Sequence, residues 1–324
     1  MSDAVRRHDR FFRAYFERPE VLGELLQLAL PHEVSGGIDV STLRLEPRTY
    51  LDKDHREYFA DLSASVQVNG KRARVYVLFE HKSWSDAGTL LQLLRYMVQV
   101  WSRERHSDGA KRLTPVMPVV VYHGEGSTPR MSFHDLFDLG DSAEGHSRLK
   151  YIPSFEAALV DVSRMPDWQL EEMSSALSAG LWSLRVARGT VEDFLEVVNR
   201  LGKRWGRTLL LDPGFELLLT YMLQGSGLSP DELEEKVNKA ITDSLIEEAV
   251  VTTYDQLIEK GRKEGRQQGL QEGLQKGREE ERHERAVVFS EKLLGEGMSV
   301  EKVAELTELP IEEVRKIADK RFEA

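Results

Sequence analysis

Apolar and polar residues alternate clearly between Tyr58 and Ser83, on both sides of the dipeptide Asn69-Gly70. A two-residue hairpin turn needs positive φ angles, which Asn and Gly adopt readily. The pattern therefore predicts a β-hairpin closed by this dipeptide, with Val68 paired to Lys71. Every second residue on each arm is apolar, so one face of the hairpin is predicted to be buried.

The other face of the hairpin carries the candidate chemistry. The same register places Asp61 opposite Leu78 and Phe59 opposite Glu80, so the two acids are diagonal neighbours with Cβ atoms about 7–8 Å apart. Two carboxylates at that separation can share a hard divalent cation. Lys82, two residues beyond Glu80, points to the same side. The alternative is a solvated sheet face, on which carboxylates and lysines are also common.

Strand patterns around the hairpin predict the rest of a sheet. Residues 75–79 are apolar on both faces, as in a central strand covered on both sides, so Glu80 is predicted to end a buried strand. Residues 40–51 favour the first strand, and residues 115–122 favour a buried strand parallel to the third one. Residues 157–162 are predicted to form an edge strand.

A helix is predicted to cross over between the two buried strands. Ser85 or Asp86 gives a helix-start signal, and an amphipathic run continues to about Trp101. Gln92 and Tyr96 are four residues apart, so they lie one turn above the other and can both face the strand end. The apolar stripe of this helix is predicted to consist of Leu91, Leu94, Val98 and Trp101.

Composition narrows the class of protein. The 324 residues are 40% hydrophobic, which is ample for a core, and the patterns above predict an α/β fold with a central mixed β-sheet flanked by helices. Cysteine is absent, which excludes thiolate metal sites and cysteine nucleophiles and fits a reducing compartment. Neither a signal-peptide pattern nor a run of about 18–20 apolar residues occurs. A cytoplasmic protein with no membrane partner is expected.

Charge is unevenly distributed along the chain. The 44 basic and 55 acidic residues give a net charge of −11, which argues against indiscriminate coating of nucleic acid. From Lys71 to Arg112, however, nine basic residues stand against four acidic ones. The region around the proposed site is therefore expected to be positive although the whole chain is not.

The order of the candidate residues resembles a known superfamily. Asp61, then Glu80-His81-Lys82, then Gln92-x-x-x-Tyr96 is similar to the PD-(D/E)XK, or restriction-endonuclease-like, nucleases in their branch with a QxxxY helix. More narrowly, the chain resembles the Rpn family of recombination-promoting nucleases, also labelled YhgA-like transposases. This likeness covers about the first two thirds of the chain and the style of its tail. It is carried by His8–Phe12, Glu80–Ser83, Leu94–Met97 and Pro118–Gly124.

The resemblance implies metal-dependent hydrolysis of phosphodiester bonds in DNA. Asp61 and Glu80 would hold Mg²⁺, with Mn²⁺ as a substitute, and the main-chain carbonyl of His81 would be a further ligand. Lys82 would position the attacking water or stabilise the charge that grows on the phosphate. Gln92 and Tyr96 would steer the substrate or the lysine. The alternative is a non-catalytic DNA- or protein-binding module that keeps the nuclease fold.

Two further residues leave their roles open. Asp9 lies in the first predicted helix, from which some members of the superfamily donate an acid to the metal, but an acid there is more often a cap or dipole partner. His123 follows the strand over residues 115–122 and would either contact the substrate or form structural hydrogen bonds.

Four regions are predicted along the chain. Residues 1–165 form the nuclease-like domain, residues 166–255 a helical extension, residues 256–285 a charged helical repeat or linker, and residues 286–324 a small helical hairpin. The hairpin resembles helix-turn-helix sequences, but eight acidic against five basic residues after position 294 disfavour DNA docking and favour protein contact.

The charged repeat carries a glycine at every fourth position. Each glycine costs a helix about 1 kcal/mol relative to alanine, so this regular spacing suggests a stripe that a second helix can approach closely. A homo-oligomer formed through this repeat is therefore predicted, with a solvated spacer as the alternative. The glycines are Gly261, Gly265, Gly269, Gly273 and Gly277.

Overall fold

The structure is a computed structural model in which the chain forms two compact units, Met1–Asp255 and Gln256–Ala324. Within them, the side chains of residues 79, 80 and 320–322 are not described. The residues that the structure describes are 11–46, 62–80, 88–106, 111–124, 131–138, 147–187, 189–224 and 226–322.

The first unit is built on one five-stranded mixed sheet, which confirms the predicted α/β class. The strands lie in chain order; the pairs β1–β2 and β2–β3 are antiparallel, and the pairs β3–β4 and β4–β5 are parallel. They are β1 (Ile38–Leu45), β2 (Leu62–Val68), β3 (Lys71–Glu80), β4 (Val116–Tyr122) and β5 (Ala158–Asp161).

The β2–β3 hairpin has the register that the sequence predicts. Asn69 and Gly70 have φ angles of 51° and 72°, as a two-residue turn requires. Seven residue pairs follow, from Val68 with Lys71 to Leu62 with Val77. The predicted pairings of residues 59–61 lie outside the described residues.

Among the described residues, four helices precede β4. The short α3 follows α2, and α4 forms the predicted crossover between the parallel strands β3 and β4. Gly23 in α2 allows close approach to β1, because a Cβ at this position would come within 2.6 Å of Val40. The helices are α1 (residues 11–16), α2 (Pro19–Ala29), α3 (His32–Ser35) and α4 (Gly88–His106).

Both faces of the hairpin are covered. The apolar face is buried as predicted, through Leu62, Ala64 and Val66 on β2 and Ala73, Val75 and Val77 on β3. The other face packs under α4 and the 3₁₀ turn Phe133–Leu136. The buried cluster on that side consists of Tyr76, Leu78, Leu90, Leu93, Tyr96, Val100, Val120, Phe133 and Ala157.

The predicted apolar stripe of α4 is only partly correct: Leu94 and Trp101 pack against the buried cluster, but the other two members do not. Leu91 and Val98 are about half exposed, at 49% and 48%. The helix also continues to His106 instead of ending near Trp101. Apolar residues occupy two neighbouring stripes of this sequence, and the stripe that faces the sheet is the one with Leu90, Leu93, Tyr96, Met97 and Val100.

Helices make up the rest of the first unit and continue beyond it. The helix that begins at Pro230 ends at Ala240, and after Ile241–Asp243 the Asp243 carboxylate accepts a hydrogen bond from the amide of Leu245 and caps a new helix. The helices are α5 (Asp167–Glu171), α6 (Ser175–Val186), α7 (Val191–Trp205), α8 (Arg207–Leu210), α9 (Pro213–Leu223), α10 (Pro230–Ala240) and α11 (Ser244–Gly295).

The helical extension packs directly on α1 and the residues that follow it. The Tyr15 hydroxyl donates a hydrogen bond of 2.8 Å to the carbonyl of Ala176. Arg18 forms an ion pair of 2.8 Å with Asp212, the cap of α9. Phe11 stacks on Tyr221 of α9, with ring centroids 4.1 Å apart.

The second unit contains the end of α11, α12 (Val300–Thr307) and α13 (Ile311–Phe322). Its core is formed by Leu293, Val303, Leu309 and Val314. The five repeat glycines lie on α11, and a Cβ added at any of them meets no atom within 4 Å among the described residues. No described helix has the length and apolarity needed to cross a bilayer.

Candidate functional site

The carboxyl ends of the central parallel strands lie level with each other. Glu80 is the last residue of β3 and pairs with Tyr122, the last residue of β4. Because α4 crosses over between these strands, its first turn lies toward the same edge of the sheet. The backbone of Glu80 therefore ends a buried central strand, as predicted.

Most of the residues predicted for the metal site lie outside the described part of the chain. Asp61, His81 and Lys82 lie outside the described residues, and only the backbone of Glu80 is described. The shared pocket of two acids and an amine stays a prediction. The part of the chain that the structure describes has no group of three or more His, Cys, Asp or Glu residues arranged to hold a metal ion.

Tyr96 connects α4 to both arms of the hairpin. Its side chain is only 2% exposed, and its hydroxyl forms a hydrogen bond with the hydroxyl of Ser63 on β2. Its ring stacks on Tyr76 of β3, with centroids 3.9 Å apart and planes 16° from parallel. Ser63 and Tyr76 are a cross-strand pair. One side chain thus fixes the position of α4 over the hairpin.

Gln92 lies closer to the strand end than Tyr96 does. The last turn of α4 lies at the start of β3, where Glu104 contacts Arg74, so the helix runs antiparallel to the strand. Gln92 precedes Tyr96 by about one turn, or about 6 Å along the helix axis. Its half-buried side chain is therefore nearer to the carboxyl end of β3.

The sequence prediction missed the partners of Tyr96. It assigned Tyr96 to the strand end, whereas the hydroxyl of Tyr96 meets Ser63 two positions beyond Asp61 on β2. The alternation pattern gave a signal, because it placed Ser63 and Tyr76 together on the face that carries Asp61. The pattern did not indicate which side of α4 faces the sheet.

We expect Tyr96→Phe to lower the free energy of unfolding by about 1–2 kcal/mol, because the half-buried Ser63 hydroxyl loses a partner while the ring stacking remains. Urea denaturation measures this difference. The same change at Tyr151, which is 79% exposed, is the matched control and should shift stability by less than about 0.5 kcal/mol. Equal effects of the two substitutions would show that the Ser63–Tyr96 bond contributes no stability.

A buried cluster of charged side chains lies at the other end of the hairpin and α4, near the start of β3. Arg74 on β3 forms ion pairs with Glu46 at 2.7 Å and with Glu104 of α4 at 3.1 Å. The second carboxylate oxygen of Glu104 accepts a 2.8 Å hydrogen bond from the amide of Thr114, two residues before β4. The cluster therefore joins the end of β1, the start of β3, the end of α4 and the start of β4.

The partners of Glu104 keep it charged inside the protein. Burial alone would raise the pKa of its carboxyl group, but the hydrogen bonds from Thr114 and Arg74 and the charge of Arg74 outweigh this effect. The net result is a pKa below the usual value for glutamate. The ion pair is thus intact at neutral pH.

His123 packs against the N-terminal helix. Its ring lies 5.9 Å from that of Phe12, between centroids, directly after the end of β4. This contact ties α1 to the carboxyl edge of the sheet. Asp9, the other residue whose role was open, lies outside the described residues.

Among the described residues, most of the positive charge lies at the opposite edge from the one predicted. Six of the nine basic residues between positions 71 and 112 are exposed near the start of β3, the end of α4 and the segment before β4. These elements meet at the amino end of the parallel strands, away from Glu80. We call this group the basic surface: Lys71, Arg72, Arg103, Arg105, Lys111 and Arg112.

The sheet topology and the acid-terminated central strand define an α/β protein with a candidate site at the carboxyl edge of its sheet. Residues 6–207 match the family model described as "Putative transposase, YhgA-like". This match covers more than half of the chain, and the chain belongs to that family.

Several relatives from Escherichia coli (strain K12) are similar to this chain. The recombination-promoting nuclease RpnC is 29% identical over 316 residues, which are 96% of this chain and 96% of RpnC. The recombination-promoting nuclease RpnA is 31% identical over 161 residues, 49% of this chain and 53% of RpnA. The inactive recombination-promoting nuclease-like protein RpnE is 28% identical over 308 residues, 93% of this chain and 94% of RpnE. No solved structure gives a significant match.

Proposed function

We propose that this protein is a metal-dependent DNA endonuclease with a PD-(D/E)XK core, acting in the cytoplasm in a recombination-promoting or transposase-like role. Its family and the names of RpnC and RpnA support nuclease chemistry. The mixed sheet, with a helix crossing between two parallel central strands, is compatible with a restriction-endonuclease-like core.

One observation carries the proposal. The β2–β3 hairpin has the predicted register over seven residue pairs, and β3 ends at Glu80 beside the end of β4. Continuing that register by one residue would pair Asp61 with Leu78, and a further two residues would reach Glu80. The predicted site would lie directly beyond the described pairs of the hairpin, and their register supports the proposal.

The proposed donor set suits Mg²⁺ by its chemistry. Asp61, Glu80 and the main-chain carbonyl of His81 offer only oxygen ligands, which this hard cation prefers, and Mn²⁺ accepts the same set. A bound Mg²⁺ would polarise the scissile phosphate and lower the pKa of the attacking water.

The remaining roles belong to side chains around the donor set. Lys82 would donate hydrogen bonds to the phosphate oxygens as negative charge grows on them. Gln92, one helical turn nearer the strand end than Tyr96, would contact the substrate or orient Lys82. Tyr96, through Ser63 and Tyr76, would hold α4 and hence Gln92 in place.

Incubation of the purified protein with supercoiled plasmid tests the proposal. We expect nicked and linear DNA with Mg²⁺ or Mn²⁺ and unchanged plasmid with EDTA, because both carboxylates need a cation to approach the phosphate. Glu80→Gln should behave as the parent does in EDTA. Cleavage that persists in EDTA, or in Glu80→Gln, would contradict the metal role of this strand end.

A second candidate is a non-catalytic module that binds DNA or protein through the same fold. It is favoured by RpnE, which is named inactive although it matches 93% of this chain. DNA binding by the parent without cleavage under any divalent cation would support it. For either candidate, homo-oligomerisation through the glycines of α11 stays a prediction.

A further inference from the structure

The basic surface is formed by three segments that meet at one buried junction. Arg74 and Glu104 form an ion pair there, and Glu104 accepts the amide of Thr114. Each member of the basic surface lies within three residues of Arg74, Glu104 or Thr114. Their side chains are exposed, whereas Arg74 and Glu104 are buried.

Two of the described acidic groups near this junction are paired with Arg74 inside the protein. Glu104 is buried and paired with Arg74, and the side chain of Glu46, 8% exposed, is shared between Arg74 and Arg72. Asp39 on the neighbouring β1 is exposed and accepts hydrogen bonds from Ser41. The described part of this surface thus carries six exposed basic residues, on a chain whose total charge is −11.

The distance from this surface to the candidate site matches a repeat of B-form DNA. Lys71 and Glu80 are the two ends of β3, and ten residues of extended strand span about 30 Å. The 19 residues of α4 cover a similar length on the same side of the sheet, about 28 Å. One turn of B-DNA is about 34–36 Å, so the same face of a duplex recurs at nearly this interval.

We propose that the basic surface binds the phosphate backbone of duplex DNA one helical turn away from the sheet edge that ends at Glu80. The spacing of one helical turn rests on the proposed function, because it assumes that the same duplex is also bound at the sheet edge that ends at Glu80. Contacts of lysine and arginine with phosphates carry no sequence information, so the contribution of this surface would be independent of sequence. It would raise affinity for long DNA without taking part in cleavage.

A fourfold charge-removal variant tests this inference. It combines Lys71→Gln, Arg72→Gln, Lys111→Gln and Arg112→Gln, all at exposed positions. The matched control removes four exposed charges from α7, α8 and α10 of the same unit, through Lys203→Gln, Arg204→Gln, Arg207→Gln and Lys239→Gln. Thermal unfolding of both variants checks that the fold is retained.

Fluorescence anisotropy with labelled duplexes, without divalent cation, is the main readout. For a 30-base-pair duplex we expect the basic-surface variant to bind about 10–100 times more weakly than the parent, and the control variant to change by less than about threefold. The dependence of log K on log salt should become shallower by about 0.9 for each phosphate that the variant no longer neutralises. An 8-base-pair duplex is about 27 Å long, which is too short to reach from the basic surface to the edge at Glu80. The parent should therefore bind the 30-base-pair duplex more tightly than the 8-base-pair duplex, and this difference in affinity should be smaller in the variant.

Three outcomes would overturn the inference: no DNA binding by the parent, equal affinities of variant and parent, or equal reductions in affinity in variant and control. Tight binding of polyglutamate at the same surface would replace DNA with an acidic protein as the partner. Failure of the proposed function is distinguishable. It would appear as parent protein that binds long DNA through the basic surface but leaves plasmid intact with Mg²⁺.

Discussion

A Lys82→Ala variant should cleave plasmid DNA about 10²–10³ times more slowly than the parent at saturating Mg²⁺. The proposed role of Lys82 is to stabilise charge that appears on the phosphate only in the transition state, and losing one such donor typically has this effect. Because the two carboxylates are unchanged, the Mg²⁺ concentration for half-maximal rate should stay close to that of the parent. The rate at saturating metal and DNA should fall.

Single-turnover cleavage with excess protein measures this prediction. Lys203→Ala, an exposed lysine of α7 in the same unit, removes an equal charge far along the chain and should keep the parent rate within about twofold. Equal nicking by the Lys82→Ala variant and the parent would remove the catalytic role of this lysine. Nicking by neither would favour the non-catalytic module.

An Arg74→Met variant should unfold with a free energy about 3–5 kcal/mol lower than the parent. Arg74 is 2% exposed and faces two carboxylates, so its removal deprives buried Glu104 of its cation and leaves Glu46 only the longer pair with Arg72. The neighbouring Arg72→Met is the matched control, because the Arg72 side chain is 60% exposed and its 3.4 Å pair with Glu46 is worth at most about 1 kcal/mol. Urea denaturation measures the free energy of unfolding of both variants, and the loss should be larger for Arg74→Met than for Arg72→Met.

The pH dependence of the same cluster has a definite sign. The pKa of Glu104 lies below its ordinary value in the folded protein, so its charge stabilises the fold above the unfolded pKa. This contribution is lost as the pH falls through the lower, folded value. The stability difference between the parent and Glu104→Gln should therefore be largest near neutral pH and shrink below about pH 4. A constant difference across that range would argue against a charged Glu104.

The hairpin could be predicted in detail because its determinants are local. Asn69-Gly70 fixes the turn, and a two-residue turn fixes the register of every pair that follows. The parallel β4 was predictable for a related reason, since residues 115–122 are apolar throughout and follow a helix. Glu80 could therefore be assigned to the end of a buried strand from sequence alone.

The rotation of α4 could not be predicted, because two adjacent stripes of its surface are apolar. Leu90 and Leu93 face the sheet while Leu91 is half exposed. The choice depends on partners distant in sequence, namely Ser63 and Tyr76, which receive Tyr96. A periodicity argument has no access to such contacts.

The location of the positive charge could not be predicted from the sequence either. Counting basic residues between positions 71 and 112 gave the correct sign but the wrong edge of the sheet. The antiparallel course of α4 carries Arg103 and Arg105 back to the start of β3, and the pairing of Arg74 with Glu46 and Glu104 withdraws two acids from the surface. Both effects depend on tertiary structure.

Hydrogen exchange in the long exposed stretch of α11 would show whether another molecule binds there. Residues 259–285 are exposed throughout, so their backbone opens at a free energy set by the helix–coil balance, which the five glycines weaken by about 5 kcal/mol relative to alanine. Amide protons in this stretch therefore exchange quickly with heavy water in a single chain. Slow exchange confined to these residues would reveal that another molecule covers them and would map the covered turns one by one.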